Sequence, residues 1–217
     1  MIAARTLRCS IAAALLAVTF LTHAQAPASG AAWTYGYADA MYGRHKHTYT
    51  VEVAGATDAS VTESFAVDGG APRQSALEPR GSGFVLRLLA PGRTLIEFSP
   101  YAGPAAEGGA PPQLPPPTGY PTGYASYLDW TTSVRVAGWE SVSVPTGSFR
   151  ALRIEITGTR GSDPDPFWQP KQAGRFQYAI WYAPEVRRYV KFRHQSWAMT
   201  AAPFGDEIVE LRSYRLK

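Results

Sequence analysis

The sequence predicts an all-β protein built on one curved antiparallel sheet, a half-barrel or open barrel of about 10 to 11 strands with long Pro/Gly-rich loops. No long segment has a clean helical period, whereas apolar and polar residues alternate repeatedly. Short turn sequences separate the alternating runs, among them Asp68-Gly69-Gly70, Pro91-Gly92 and Pro145-Thr146-Gly147. Connections this short favour antiparallel neighbours, because a parallel crossover needs a dozen residues or more.

Alternation along the chain gives the individual strands. In chain order the predicted strands are 33–38, 46–53, 60–67, 83–89, 94–99, 130–136, 140–144, 150–158, 175–182, 188–197 and 207–214. Their residues sort by parity into one apolar and one polar face. A chain with one apolar side over this many strands is typical of a sheet curled around its own interior.

Two segments interrupt this pattern. Residues 100–127 are rich in proline and glycine and contain the near-repeat Thr118-Gly119-Tyr120, Pro121-Thr122-Gly123-Tyr124. This segment predicts a long loop, either a functional lid or a linker. Residues 161–173 predict a second long loop. Because the strands before residue 100 are too few and short to close a core alone, we predict one domain over residues 25–217.

The N-terminus has the pattern of a secretory signal peptide over residues 1–24. Arg5 and Arg8 precede an apolar run from Ile11 to Leu21, and small residues follow. The apolar run is shorter than the roughly 20 residues that span a bilayer. The only cysteine, Cys9, lies before this run, so the mature protein has neither a disulfide nor a thiolate ligand. We therefore predict a periplasmic or secreted protein without a transmembrane segment in its mature chain.

Charge argues against nucleic acid as a partner. The formal net charge is +4, but losing Arg5 and Arg8 from 21 basic residues leaves 19 against 17 acidic ones. Nucleic-acid binding needs clustered basic residues, and here they are scattered. The local group Arg187, Arg188 and Lys191 is interpreted as a solvated face, with contact to an anionic surface as the alternative.

The C-terminal part of the chain carries the most distinctive motifs. Val144-Pro145-Thr146-Gly147-Ser148-Phe149 precedes an Arg153-Ile154-Glu155 strand, and Trp181-Tyr182-Ala183-Pro184-Glu185-Val186 precedes Val190-Lys191. Residues 130–217 resemble a family of exported bacterial proteins of unknown function. Departures from its pattern are Thr146, Ser148 and Arg187, where alanine, threonine and often glycine are expected. The resemblance implies an architecture similar to that of the periplasmic lipoprotein carriers, whose antiparallel half-barrel encloses an apolar cavity; it transfers no catalytic residue.

Face assignment and resemblance together predict a ligand site inside the half-barrel. The predicted lining is Phe176, Tyr178, Ile180, Tyr182, Phe192 and Leu211, with Glu63 and His194 as polar members. Glu63 lies between Val61 and Phe65 on the apolar face, and a buried carboxylate must be paired or protonated. It could form an internal polar site with His47 or His194, or a local bulge could turn it outward.

Metal and catalytic chemistry find little support in the residues. His45 and His47 are weak metal candidates, because two histidines on one strand face lack a third ligand nearby. No Gly-x-Ser-x-Gly elbow is present. Asp163 and Asp165 could serve glycosidic chemistry or bind calcium, but Asp-Pro-Asp-Pro is more often a stiff loop. No cofactor is predicted.

The leading hypothesis is a non-enzymatic binding or chaperone-like protein that holds an apolar lipid or acyl ligand. The alternative is a protein-interaction or structural envelope domain with a filled core. Less favoured are an envelope hydrolase and a small outer-membrane barrel.

The predicted signal peptide, which we call the leader, gives a first testable prediction. Protein secreted by its own host should begin near Gln25, and intact-mass analysis of that material measures the loss of residues 1–24 directly. Recovery of the full Met1 form embedded in the inner membrane would contradict the predicted compartment.

Overall fold

The computed structural model describes residues 27–41, 43, 46–57, 59–77, 83–109, 111–117, 130–161, 174–198 and 203–217. The predicted leader and its cysteine lie outside them. Eleven strands are present in the described part. They are β1 Ala32–Asp39, β2 His47–Ala56, β3 Val61–Val67, β4 Arg73–Leu77, β5 Phe84–Ala90, β6 Arg93–Phe98, β7 Thr131–Val144, β8 Gly147–Arg160, β9 Gly174–Ala183, β10 Arg188–Trp197 and β11 Pro203–Arg215.

Nine strands form one antiparallel sheet in the order β4-β3-β2-β1-β11-β10-β9-β8-β7. Strand β1 pairs with β11, so β1–β4 and β7–β11 share this sheet. The predicted all-β class and antiparallel pairing across the short turns are confirmed. Single-domain organisation stays a prediction.

Strong curvature brings distant strands of this sheet together. Glu63 on β3 contacts Arg188 on β10, although four strand spacings, about 19 Å in a flat sheet, separate β3 from β10. Two side chains cannot bridge that distance unless the sheet curls toward them. The curl creates a concave face, which we call the interior face.

The interior face is covered by the β5–β6 hairpin, which we call the cover. It is a separate two-stranded sheet joined by a tight turn at Pro91 and Gly92. The Tyr178 hydroxyl donates to the Ile96 carbonyl at 3.1 Å, and the Tyr182 hydroxyl donates to the Ser99 carbonyl at 2.8 Å. In the described residues, side chains rather than a backbone ladder therefore join the cover to the large sheet.

Alternation assigned most faces correctly and failed on the β5–β6 hairpin. Residues predicted to face inward on β2, β8, β9, β10 and β11 are buried, as the examples of Val51, Ile154 and Val209 show. On β5, however, Leu86 and Leu88 are 53% and 43% exposed, while Arg87 is buried. The expected face of this strand is reversed because Arg87 finds carboxylate partners inside, which hydrophobicity alone does not reveal. On β6, Leu95 and Glu97 are buried, whereas Ile96, which was expected to face inward, is only partly buried.

Two strand assignments also differ from the prediction. The expected strands 130–136 and 140–144 are one strand, β7, whose register shifts between Val136 and Gly138. This bulge absorbs one extra residue, which makes the alternation change phase without ending the strand. Strand β4 was missed, because its sequence Arg-Gln-Ser-Ala-Leu has little apolar content and occupies a sheet edge.

The turn before β10 fixes the entry of that strand into the interior. Residues Pro184–Val186 form a 3-10 turn, and Arg187 follows with φ 55°, a left-handed conformation that favours glycine. The Trp33 indole donates to the Val186 carbonyl at 2.9 Å and holds the turn in place. Arg188 therefore starts β10 with its side chain fully buried.

A substitution at Gly147 tests the conformation of the turn between β7 and β8. Its φ of 142° is strained for a β-branched residue. Replacing Gly147 with valine should lower the free energy of unfolding by roughly 1 to 3 kcal/mol. Thermal and urea unfolding measure this loss. Thr146→Val, in the same turn but without positive φ, is the matched control; equal melting midpoints for both variants would contradict the argument.

Candidate functional site

Four charged side chains meet in the interior and form what we call the charge cluster: Glu63 from β3, Arg87 from β5, Glu97 from β6 and Arg188 from β10. Each is at most 4% exposed. Two carboxylates and two guanidinium groups cancel in charge. Buried charges are tolerated only when they are paired and hydrogen-bonded, and here all four are.

Every carboxylate in the charge cluster bridges both guanidinium groups. Arg188 donates to Glu63 at 2.5 Å, and its other Nη lies 3.3 Å from a Glu97 oxygen. Arg87 donates through Nε to Glu97 at 2.6 Å and through Nη2 to Glu63. Arg87 and Glu97 are diagonal neighbours on one face of the cover, since Arg87 pairs with Leu95 in the ladder.

Tyrosine hydroxyls complete the hydrogen bonding of the carboxylates. The Tyr101 hydroxyl donates to Glu63. Glu97 accepts from the Tyr189 hydroxyl and from the Tyr49 hydroxyl, the latter at 3.3 Å. The Tyr49 and Tyr189 hydroxyls are 3.0 Å apart. These contacts surround both carboxylates with donors.

Aromatic rings enclose the guanidinium of Arg188. Its carbon lies 5.0 Å from the ring centre of Tyr101, 5.3 Å from that of Tyr189 and 5.4 Å from that of Trp33. Such cation–π contacts favour a desolvated guanidinium. Arg188 Nε has no hydrogen-bond partner in the described part of the chain, so this residue has a donor to spare.

Electrostatics keep Glu63 ionised and Tyr49 and Tyr189 protonated. Burial raises the pKa of Glu63, but Arg188 and Arg87 outweigh burial and hold the pKa at about 2. Burial, followed by the nearby Glu97 carboxylate, raises the pKa of Tyr49 and of Tyr189 well above the usual range. Both phenols therefore remain hydrogen-bond donors.

A second polar group joins the other end of the cover to the sheet. Arg93, the first residue of β6, donates to the Tyr37 hydroxyl at 2.9 Å and lies 3.4 Å from Asp39. The Tyr37 hydroxyl in turn donates to Glu207 at 2.8 Å. His194 Nδ1 lies 2.9 Å from Glu207. Burial raises the pKa of Glu207, but the bonds to His194 and Tyr37 and the charge of Arg93 lower it overall.

All eight residues predicted to line a ligand site lie on the interior face and are at most 5% exposed. Of the two alternatives for Glu63, the structure has the interior one, but the expected histidine partners were wrong. Glu63 pairs with two arginines, whereas His194 pairs with Glu207 and stacks on Tyr178 at 4.4 Å. Their role in binding a ligand stays a prediction.

The metal candidates have other contacts or lie elsewhere. His47 Nδ1 lies 2.7 Å from Asp68. His45, Asp163 and Asp165 lie outside the described residues. Within the described ranges, no group of three or more His, Cys, Asp and Glu side chains is placed to hold a metal ion.

Sequence reasoning missed three members of the charge cluster and its tyrosines. One signal was available: Arg87 stands between two leucines, and Glu97 stands between Ile96 and Phe98, in two apolar runs joined by a tight turn. Single opposite charges in paired apolar strands indicate a cross-strand ion pair. Arg188 had no such signal, because it lies in a local group of basic residues that favours a solvated face.

Comparison with known proteins finds similarity at the level of solved structures. No protein-family model matches the chain, and no curated protein does. A protein of Parabacteroides distasonis provisionally described as a lipoprotein is 12% identical, over 87% of this chain and 96% of its own, with a TM-score of 0.46. A Bacteroides fragilis protein provisionally described as exported, with a YmcC-like fold, is 12% identical over 87% and 97%, with a TM-score of 0.44. At this likeness neither protein informs the function of this chain, and the family resemblance of residues 130–217 stays a prediction.

Because the pKa of Glu63 is lowered in the folded state, this residue makes the stability of the fold depend on pH. A carboxyl with a pKa of about 2 when folded and an ordinary pKa near 4.5 when unfolded stabilises the fold above pH 4.5, and loses that contribution as pH falls toward 2. Urea unfolding between pH 5 and 2.5 should show wild-type stability falling by on the order of 2 to 3 kcal/mol from this group.

Two variants isolate this effect. Glu63→Gln should be less stable at pH 7, because it leaves two arginines with one carboxylate, and should lose less stability on acidification. Glu155→Gln removes a carboxylate that pairs with Arg135 at the protein surface, and should follow the wild-type slope. Parallel acid curves for the wild type and Glu63→Gln would refute the assignment.

Proposed function

We propose that this protein is an exported, non-enzymatic binding protein that holds an apolar ligand, such as a lipid or acyl chain, between its curved sheet and the cover. One observation carries the proposal: the cover is a separate two-stranded sheet laid over an apolar face. In the described residues its backbone hydrogen bonds are internal to the hairpin or to its flanks at Gly83 and Ser99. The cover can therefore lift without breaking the nine-stranded ladder.

The residues under the cover support an apolar ligand. Rings and branched side chains dominate this surface, for example Phe176, Ile180 and Phe192, which are at most 2% exposed. A pocket lined by such side chains with a few polar groups is the usual form of a lipid or small-molecule site. In the described state the cover lies on this surface, so a ligand enters by displacing it.

The composition of the cover also supports movement. Its charged residues Arg87 and Glu97 point inward beside the buried Leu89, Leu95 and Phe98, whereas Leu86 and Leu88 are exposed. A permanently docked hairpin is expected to bury apolar side chains before charged ones, because apolar burial is the main source of stability. The two inward charges make the docked position specific, and two leucines stay outside the contact.

Export rests on the sequence. The charged and apolar segments at the N-terminus support a cleaved leader and a periplasmic or secreted location. The part of the chain that the structure describes contains no helix with the length and hydrophobicity of a membrane span.

A filled interior favours a second candidate, a protein-interaction domain of the envelope. All eight predicted ligand residues are buried by the protein itself. On this alternative the cover is fixed, and the function belongs to the outer surface, where exposed Leu86 and Leu88 could contact an envelope protein.

Dye binding separates the two candidates. The wild type should bind the uncharged dye N-phenylnaphthylamine and release it when a fatty acid is added. Ile180→Asp places an unpaired charge on the interior face and should abolish binding or folding. Gln177→Asp, three residues away and partly exposed on the opposite face, should be nearly silent.

Fluorescence titration with circular dichroism measures both outcomes. Absence of dye binding in the native protein, or equal behaviour of the two variants, would favour the interaction domain.

A further inference from the structure

The Glu97 carboxylate occupies a site whose other half belongs to the large sheet. Besides Arg87 Nε on the cover, its donors are Arg188 Nη2, the Tyr189 hydroxyl and the Tyr49 hydroxyl. Strands β2 and β10 supply all three, whereas Glu97 belongs to the cover. Arg188 is 1% exposed, and Tyr49 and Tyr189 are also buried. The sheet thus carries a preformed set of carboxylate donors.

Charge is balanced on each side of this contact. When the cover lifts, Glu63 and Arg188, 2.5 Å apart, stay together on the sheet. Arg87 and Glu97, 2.6 Å apart, stay together on the hairpin. Neither surface is left with an isolated charge, so separation avoids the largest penalty of breaking a buried ion-pair network.

Separation leaves donors of the sheet without an acceptor. Arg188 Nη2 loses Glu97, and of the two tyrosine hydroxyls, which lie 3.0 Å apart, only one can donate to the other. Arg188 Nε already has no partner in the described residues. Unpaired donors in an apolar setting are costly, and an incoming carboxylate relieves that cost.

An aromatic row leads away from these donors. The ring of Tyr189 lies 5.1 Å from Phe192, Phe192 lies 6.2 Å from Tyr178, and Tyr178 lies 5.9 Å from Phe176. The row provides a continuous apolar path that begins at the carboxylate donors. A chain bound along it would end with its head group at Arg188.

We propose that the ligand is a single-chain amphiphile with a carboxylate head, and that its carboxylate replaces Glu97 on Arg188, Tyr189 and Tyr49 when the cover opens. This inference rests on the proposed function, since it needs an apolar ligand under the cover. Glu97 is then an internal competitor that closes the site in the absence of ligand.

Two ligands that differ only in the head group test the inference. Oleate and oleyl alcohol have the same chain and differ in the head group, and their dissociation constants can be measured by displacement of N-phenylnaphthylamine from the full chain without its leader. Wild-type protein should bind oleate at least about tenfold more tightly than the alcohol, the factor that one charge-assisted hydrogen bond supplies.

Tyrosine-to-phenylalanine variants, each of which removes one hydroxyl oxygen, locate the head group of the bound ligand. Tyr189→Phe and Tyr49→Phe each remove one donor with little change in shape, and each should weaken oleate about tenfold while leaving oleyl alcohol unchanged. Tyr214→Phe is the control, because Tyr214 is 39% exposed on β11. Glu97→Gln weakens the internal competitor and leaves the cluster one positive charge in excess, so oleate should bind about tenfold more tightly.

The outcomes separate this inference from the proposed function. If both ligands bind equally and the tyrosine variants change neither, the carboxylate site is wrong while the apolar site stands. If neither ligand nor dye binds to folded protein, the proposed function fails and this inference with it. If Glu97→Gln does not fold, the two tyrosine variants decide the question alone.

Discussion

The charge cluster of Glu63, Arg87, Glu97 and Arg188 is the interaction on which the arrangement of this protein depends. Its members come from two strands of the cover and two strands of the large sheet, and all are nearly or fully buried. Because an isolated buried charge costs several kcal/mol, no member can leave alone without destabilising the others. The cluster therefore fixes how far the sheet curls and where the cover docks.

Apolar packing and charge pairing have different roles in holding the two sheets. The nine-stranded sheet is held by its ladders and by an apolar interior face. Between sheet and cover, the Phe84 ring packs on Phe176 and Tyr178. The polar contacts there include Tyr182 on backbone carbonyls, Arg93 on Tyr37, and the charge cluster. Polar contacts impose one docking geometry, since each donor must meet its acceptor. A cover attached in this way can have one closed state and still separate.

Much of the fold follows from local pattern. Alternation located the strands because the sheet has one apolar and one polar face, and Gly147 marked a turn because a positive φ requires glycine. Alternation failed where local pattern and environment disagree. Strand β7 contains a bulge that changes phase without a break, β4 is a short polar edge, and β5 points its arginine inward.

The sequence by itself determined an all-β antiparallel chain, its turns and most of its interior face, and it left Glu63 open between an interior and an outward position. These features depend on periodicity and on residues close together in the chain. Only the tertiary structure decided that Arg188 and Glu63, 125 residues apart, form an ion pair, and that the cover fills the concave face. Curvature of the sheet brings these groups together. Alternation predicts that the sheet curls, but which distant side chains the curl brings together depends on nine strands packed at once.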